Sequence, residues 1–130
     1  MDELPIILVV EDDEPIQNII KHALMDAGFD LTVSASGDEA LILLGSGVVK
    51  YRGLVTDINL KGGMNGWEVA RQVSEIDPSF PVVYVTGVAA DQWASQGVPN
   101  SILVEKPFAP AQIVSAISQL LNRGNPTTAG

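Results

Sequence analysis

Ile6-Ile7-Leu8-Val9-Val10-Glu11-Asp12-Asp13-Glu14 is the stretch on which the reading of this chain turns. An apolar run, β-branched on both sides of Leu8, passes directly into a run of acids. It lacks the polar–apolar alternation of a half-exposed strand, as a strand buried on both faces does. Outward from it, Ile16, Ile19, Ile20, Ala23, Leu24 and Ala27 fall at helical spacing, and Gly28 ends the helix. Leu31 to Ala35 reads as a second strand, and Asp38 to Leu44 as a short helix stopped by Gly45-Ser46-Gly47. Leu54-Val55-Thr56 is a third strand, closed by Asp57. Gly66 opens a helix whose Val69, Val73 and Ile76 share a face, and Asp77-Pro78 terminates it. Pro81 to Val85 is the fourth strand, Asp91 to Gln96 a weak helix, and Ser101 to Val104 the fifth strand. The last helix follows Pro110 with Ile113, Ile117 and Leu120 on one stripe. From Asn122 the chain is polar and rich in Gly, Pro and Thr, which predicts a domain over 1–122 and a frayed tail over 123–130.

Five strands alternating with helices predict an α/β fold: a doubly wound, five-stranded parallel sheet with helices on both faces. Ligands of such sheets bind beyond the carboxyl ends of the strands. There the sequence places Glu11-Asp12-Asp13, Asp57, Thr86-Gly87 and Lys106-Pro107-Phe108. Carboxylates, a hydroxyl and one ammonium in one crevice suit a divalent cation and a phosphoryl group. Singly, Asp57 is an ordinary residue at a turn, Thr86-Gly87 an ordinary turn and Lys106 an ordinary surface lysine. In order, at the ends of four strands, they outweigh that reading. Asp13 and Glu14 serve equally well as first-turn acids favoured by the helix dipole.

Composition narrows the field. A chain of 130 residues fits one domain with a proper core, and its 46% hydrophobic content argues against disorder. There is no cysteine, hence no disulfide framework and no thiolate metal site. The opening Met1-Asp2-Glu3-Leu4-Pro5 lacks the basic region of a signal peptide, and the apolar runs are too short to span a bilayer. A cytoplasmic protein without membrane insertion is expected. Sixteen acids against seven Lys plus Arg give a net charge of −9, which repels nucleic acid and disfavours direct binding to it.

The succession Ile7-Leu8-Val9-Val10-Glu11-Asp12, Leu54-Val55-Thr56-Asp57, Val82-Val83-Tyr84-Val85-Thr86-Gly87 and Val104-Glu105-Lys106-Pro107-Phe108 resembles the CheY-like receiver domain of two-component response regulators, from about Leu4 to Leu121. The resemblance implies the flavodoxin-like strand order 2-1-3-4-5. It implies that Asp57 is the phosphoacceptor, a carboxylate nucleophile forming an acyl phosphate. It also implies Mg²⁺ held by Asp12 directly, by Glu11 through water, by Asp57 and by the backbone carbonyl of Asn59. Lys106 would contact one phosphoryl oxygen and Thr86 another. Partners would be a sensor histidine kinase or a histidine phosphotransfer protein and a downstream protein target.

Two positions depart from the family pattern. Lys61 stands where most receivers carry proline and opens the run Gly62-Gly63-Met64-Asn65-Gly66, so a freer or differently shaped loop is expected. Leu103 stands where an aromatic is common, three residues before Lys106, so the family's Thr–aromatic coupling cannot operate in its usual form, and movement of Thr86 with repacking of Leu103 is the expected substitute. His22 reads as a surface residue, and Trp67 and Trp93 as packing residues. Val114 and Leu121 widen the last helix's stripe for the core, a pattern that pairing in a homodimer would share.

The expected function is a phosphoacceptor regulator that assists only its own phosphorylation and is not otherwise an enzyme. One rival is an interaction module that is never phosphorylated; the full acceptor, acid, threonine and lysine set argues against it. Another is an aspartyl-phosphate phosphohydrolase. Such enzymes carry Asp-x-Asp after the first strand, where this chain begins with Glu11, and no substrate cap is evident.

Overall fold

A computed structural model describes residues 4–123. Five parallel strands form one sheet in the order β2-β1-β3-β4-β5: β1 Ile6–Val10, β2 Asp30–Ser34, β3 Gly53–Asp57, β4 Val82–Thr86 and β5 Ser101–Glu105. The helices are α1 Glu14–Asp26, α2 Gly37–Ser46, α3 Gly66–Ile76, α4 Trp93–Gln96 and α5 Pro110–Arg123. The expected doubly wound, flavodoxin-like architecture is therefore the one observed.

Alternation along the strands builds two apolar layers. Leu8, Val10, Leu54, Val82 and Tyr84 point to the side of α2 and α3, where Trp67, Val69, Ala70 and Val73 meet them. Ile7, Val9, Val55, Val83, Val85 and Val104 point to the other side, against Ile20 and Leu24 of α1 and Ile113, Ile117 and Leu120 of α5. Of the three interior strands, β3 and β4 are buried along their whole length and β1 at all but its first residue, in keeping with their mostly apolar sequences. Trp67 lies against Tyr84 with ring centroids 4.7 Å apart.

Local signals start the helices. Asp13 caps α1 by accepting from the Ile16 N–H, and Glu14 is its first-turn acid. Asn65 and Glu68 form a reciprocal capping box at α3, a pattern legible as Asn-x-x-Glu.

Several expectations need correction. β2 begins and ends one residue earlier than expected, at Asp30 and Ser34, in register with β1. α2 runs past Gly45 to Ser46, and Gly47 takes the left-handed cap. Ile76, assigned to the buried face of α3, is 86% exposed, because α3 ends there beyond the edge of the sheet-facing layer. Ile19 is 44% exposed, whereas Ile20 and Leu24 of the same expected stripe are buried. The weak helix at 91–96 divides into a 3₁₀ turn at Ala90–Gln92 and the single turn α4. Trp93 is partly exposed and donates its indole N–H to Ser101 Oγ at 3.0 Å. His22 is exposed, as expected. α5 includes Asn122 and Arg123; the rest of the expected tail lies outside the described residues.

Candidate functional site

Glu11, Asp57 and Lys106 fall on the same strand parity as Val9, Val55 and Val104, so the pleat aims all three to the α1/α5 side of the crevice. Their strands are not all neighbours. Lys106 follows β5 and crosses beyond the end of β4, past Gly87, to reach across to β3 and β1. Its Nζ lies 3.5 Å from Asp57 Oδ2 and 3.6 Å from Glu11 Oε1. The Lys106–Pro107 peptide bond is cis.

One carboxylate oxygen from each of Glu11, Asp12 and Asp57 lies within 4.8 Å of the others. A single ammonium faces this triad, leaving the group electronegative. Glu11 is 1% exposed, and its Oε1 is a buried oxygen without a hydrogen-bond partner. Its Oε2 accepts from the Asp13 N–H at 3.1 Å. Burial, reinforced by the charge of Asp57, pushes the Glu11 carboxyl up to about 7, against the opposing pull of the Asp13 N–H and Lys106. Buried polar groups in native proteins are ordinarily satisfied. A buried carboxylate oxygen with no hydrogen bond, facing only the Lys106 ammonium at 3.6 Å and set beside two further carboxylates, belongs to a donor set that fits Mg²⁺, a hard cation preferring oxygen.

Asp12 is half-buried at the rim and accepts from the Lys61 backbone N–H at 2.9 Å. Asn59 lies exposed in the turn after β3, where the Leu60 N–H donates to the Ile58 carbonyl at 3.1 Å. In the glycine-rich loop, Gly62 and Gly63 take φ of 66° and 42°, the left-handed region open to glycine. The exposed Lys61 side chain leaves only its main chain engaged with the site acids. Nothing in the sequence flags that contact, because every residue except proline carries an N–H.

Thr86 has the opposite parity and stands apart from the charged group. Its hydroxyl oxygen accepts from the Val88 N–H at 3.3 Å and the Ala89 N–H at 3.0 Å, fastening the loop that leads to α4. Two residues earlier on the same strand, the Tyr84 hydroxyl accepts from the Val98 N–H at 3.1 Å, just beyond α4. β4 thus holds the α4 segment at both ends, a role of Tyr84 that its strand-like context in the sequence does not reveal. Thr86→Ala is expected to cost about 1–2 kcal/mol by orphaning the Ala89 N–H. Thr86→Ser should retain most of that stability, and urea unfolding of the two variants checks it.

A doubly wound sheet with an acid triad, a lysine and a threonine at its carboxyl edge defines a receiver of the two-component type. Residues 7–118 match the response regulator receiver domain, and the chain belongs to that family. A solved response regulator receiver protein from Sinorhizobium medicae WSM419 is 47% identical, with a TM-score of 0.88 over 92% of this chain and 96% of that one. The response regulator receiver protein CpdR of Brucella abortus is 32% identical over 88% of this chain and 95% of its own length. The C4-dicarboxylate transport transcriptional regulatory protein DctD of Rhizobium meliloti is 29% identical over 89% of this chain, which spans only 25% of DctD. Receivers are signalling domains of two-component systems. Among the described residues, no helix is long and apolar enough to cross a membrane.

Proposed function

We propose that Asp57 accepts a phosphoryl group from a histidine kinase or a histidine phosphotransfer protein. The observation that carries this is the Asp57 carboxylate at the end of β3, 3.5 Å from the Lys106 ammonium and grouped with Glu11 and Asp12. An Asp57 oxygen attacks phosphorus; the new O–P bond forms as the P–N bond to the donor imidazole breaks, and the imidazole keeps that electron pair. Asp12, Asp57 and the Asn59 carbonyl would hold Mg²⁺, with Glu11 acting through water, and the bound ion would supply charge neutralisation for the phosphoryl oxygens. Lys106 adds a positive charge 3.5 Å from the Asp57 carboxylate. Glu11 attracts the cation, through water, only in its charged form, so Mg²⁺ affinity is expected to fall as pH drops through about 7.

Phosphorylation places about −1.5 to −2 charge on Asp57. The Thr86 hydroxyl can donate to a phosphoryl oxygen while still accepting from Ala89, so its movement draws residues 87–91 along. Leu103, opposite Tyr84 in the β4–β5 register and half-buried, repacks with it. The altered α4–β5–α5 surface then binds a downstream protein, in the cytoplasm.

The test is intact mass after incubation with Mg²⁺ and acetyl phosphate or phosphoramidate. One phosphoryl group is expected on the wild type, and none on Asp57→Asn or in EDTA. A gain that survives in Asp57→Asn would assign the acceptor elsewhere. No gain despite measured Mg²⁺ binding, from these donors and from a phosphorylated phosphotransfer protein, would make the chain a binding module.

A further inference from the structure

The loop between β3 and α3 is tied to the acid group by its main chain. The Lys61 N–H donates to Asp12 Oδ2 at 2.9 Å, a contact between residues 49 apart in the chain. Because the Lys61 side chain points to solvent, the contact depends on the backbone and not on the ammonium. The rest of the loop has a defined path. Gly62 and Gly63 occupy left-handed conformations, and a Cβ on Gly63 would collide with the Asp38 carboxylate. At its far end the Gly66 N–H donates to the Ile58 carbonyl at 2.9 Å. The loop is therefore held at both ends, and one end rests on a carboxylate of the ion site.

We infer that the Lys61 main-chain N–H is a positioning donor for Asp12: it holds Oδ2, leaves the other oxygen to Mg²⁺, and couples ion binding to the path of the β3–α3 loop. This rests on the assignment of Glu11, Asp12 and Asp57 as Mg²⁺ ligands. A carboxylate whose rotation is already fixed loses less freedom when it takes an ion. Outer hydrogen bonds of this kind are worth about 10–100-fold in metal affinity. The donor also selects between ions. With Oδ2 engaged, Asp12 offers one oxygen, which suits octahedral Mg²⁺; Ca²⁺ gains from carboxylates free to bind through two.

Calorimetric titration of the whole chain with MgCl₂ and CaCl₂ tests this, using the wild type, Lys61→Ala and Lys61→Pro. Lys61→Ala removes the side-chain charge and keeps the N–H; proline has no N–H. Lys61→Pro is expected to bind Mg²⁺ about tenfold more weakly than Lys61→Ala, with a smaller loss for Ca²⁺. By reciprocity, Mg²⁺ should slow hydrogen exchange of the Lys61 amide in the wild type, a reading that stands even if Lys61→Pro does not fold. Equal Mg²⁺ affinities in folded Lys61→Pro and Lys61→Ala, or a Lys61 amide indifferent to Mg²⁺, would overturn the positioning role and leave the ion site intact. A wild type that binds no Mg²⁺ would overturn the ligand assignment itself.

Discussion

Gly66→Ala is expected to destabilise the fold by about 3 kcal/mol, the upper part of the range for an atom forced into a filled space. An alanine at the start of a helix ordinarily does the reverse, stabilising by about 0.4–1 kcal/mol through the unfolded chain. Here the added Cβ would run into the carbonyl oxygen of Asp57 and stand 2.8 Å from the Ile58 Cα. Both obstacles are backbone, so no side chain can swing aside. Relief requires α3 to move away from β3, which breaks the hydrogen bond from the Gly66 N–H to the Ile58 carbonyl. It also lifts Trp67 from Tyr84. The same movement displaces Asp57, so phosphoryl uptake should fall together with the urea midpoint. Unchanged or raised stability in Gly66→Ala would refute the close packing of α3 on β3.

Glu11→Gln should stabilise the metal-free protein at neutral pH and above. In the folded chain burial holds the Glu11 carboxyl at about 7, against 4.5 for the free group. The folded state therefore binds this proton more tightly than the unfolded state does. That advantage is present in full below pH 4.5 and is lost as pH rises through about 7. Glutamine cannot titrate. In EDTA, the stability difference between Glu11→Gln and wild type should grow in favour of the variant by about 2 kcal/mol between pH 5 and pH 8. Mg²⁺ should then stabilise the wild type and do little for the variant, since an ion bound only to the folded state raises its stability by mass action. Urea unfolding at the two pH values, with EDTA and with Mg²⁺, reads both effects. A difference independent of pH would show that Glu11 is ionised in the folded chain at pH 5.

These two effects oppose one another in a way that bears on function. Close packing of Gly66 on the Asp57 main chain holds the proposed acceptor at the end of β3. The buried Glu11 carboxylate, with one oxygen lacking a hydrogen bond and Lys106 as its counter-charge shared with Asp57, makes the same edge costly to keep charged without a further cation. The site is thus rigid in position and electrostatically dependent on what it binds. Ion and phosphoryl group can alter the stability of the surrounding loops without rebuilding the sheet.

Much of this was legible in the chain. The unbroken apolar runs of β1, β3 and β4 dictate burial on both faces. Strand parity brings Glu11, Asp57 and Lys106 to one side of the crevice, because side chains alternate with period two. Asp13 as a cap and the Asn65–Glu68 box are also written locally. The misses have a common cause. The helical spacing that groups Ile76 with Val69 and Val73, or Ile19 with Ile20, defines a face but not how far the opposing layer extends. A neighbouring layer is a property of the whole packed molecule. The sequence by itself determined the strand order's ingredients and the chemistry gathered at the sheet edge, through periodicity and residue type. Only the tertiary structure decided that Glu11 is buried with one oxygen lacking a hydrogen bond, that the Lys61 N–H reaches Asp12, and that Tyr84 and Thr86 hold the two ends of the α4 segment. Those contacts join residues through backbone groups and desolvation, which no side-chain pattern encodes before the chain has packed.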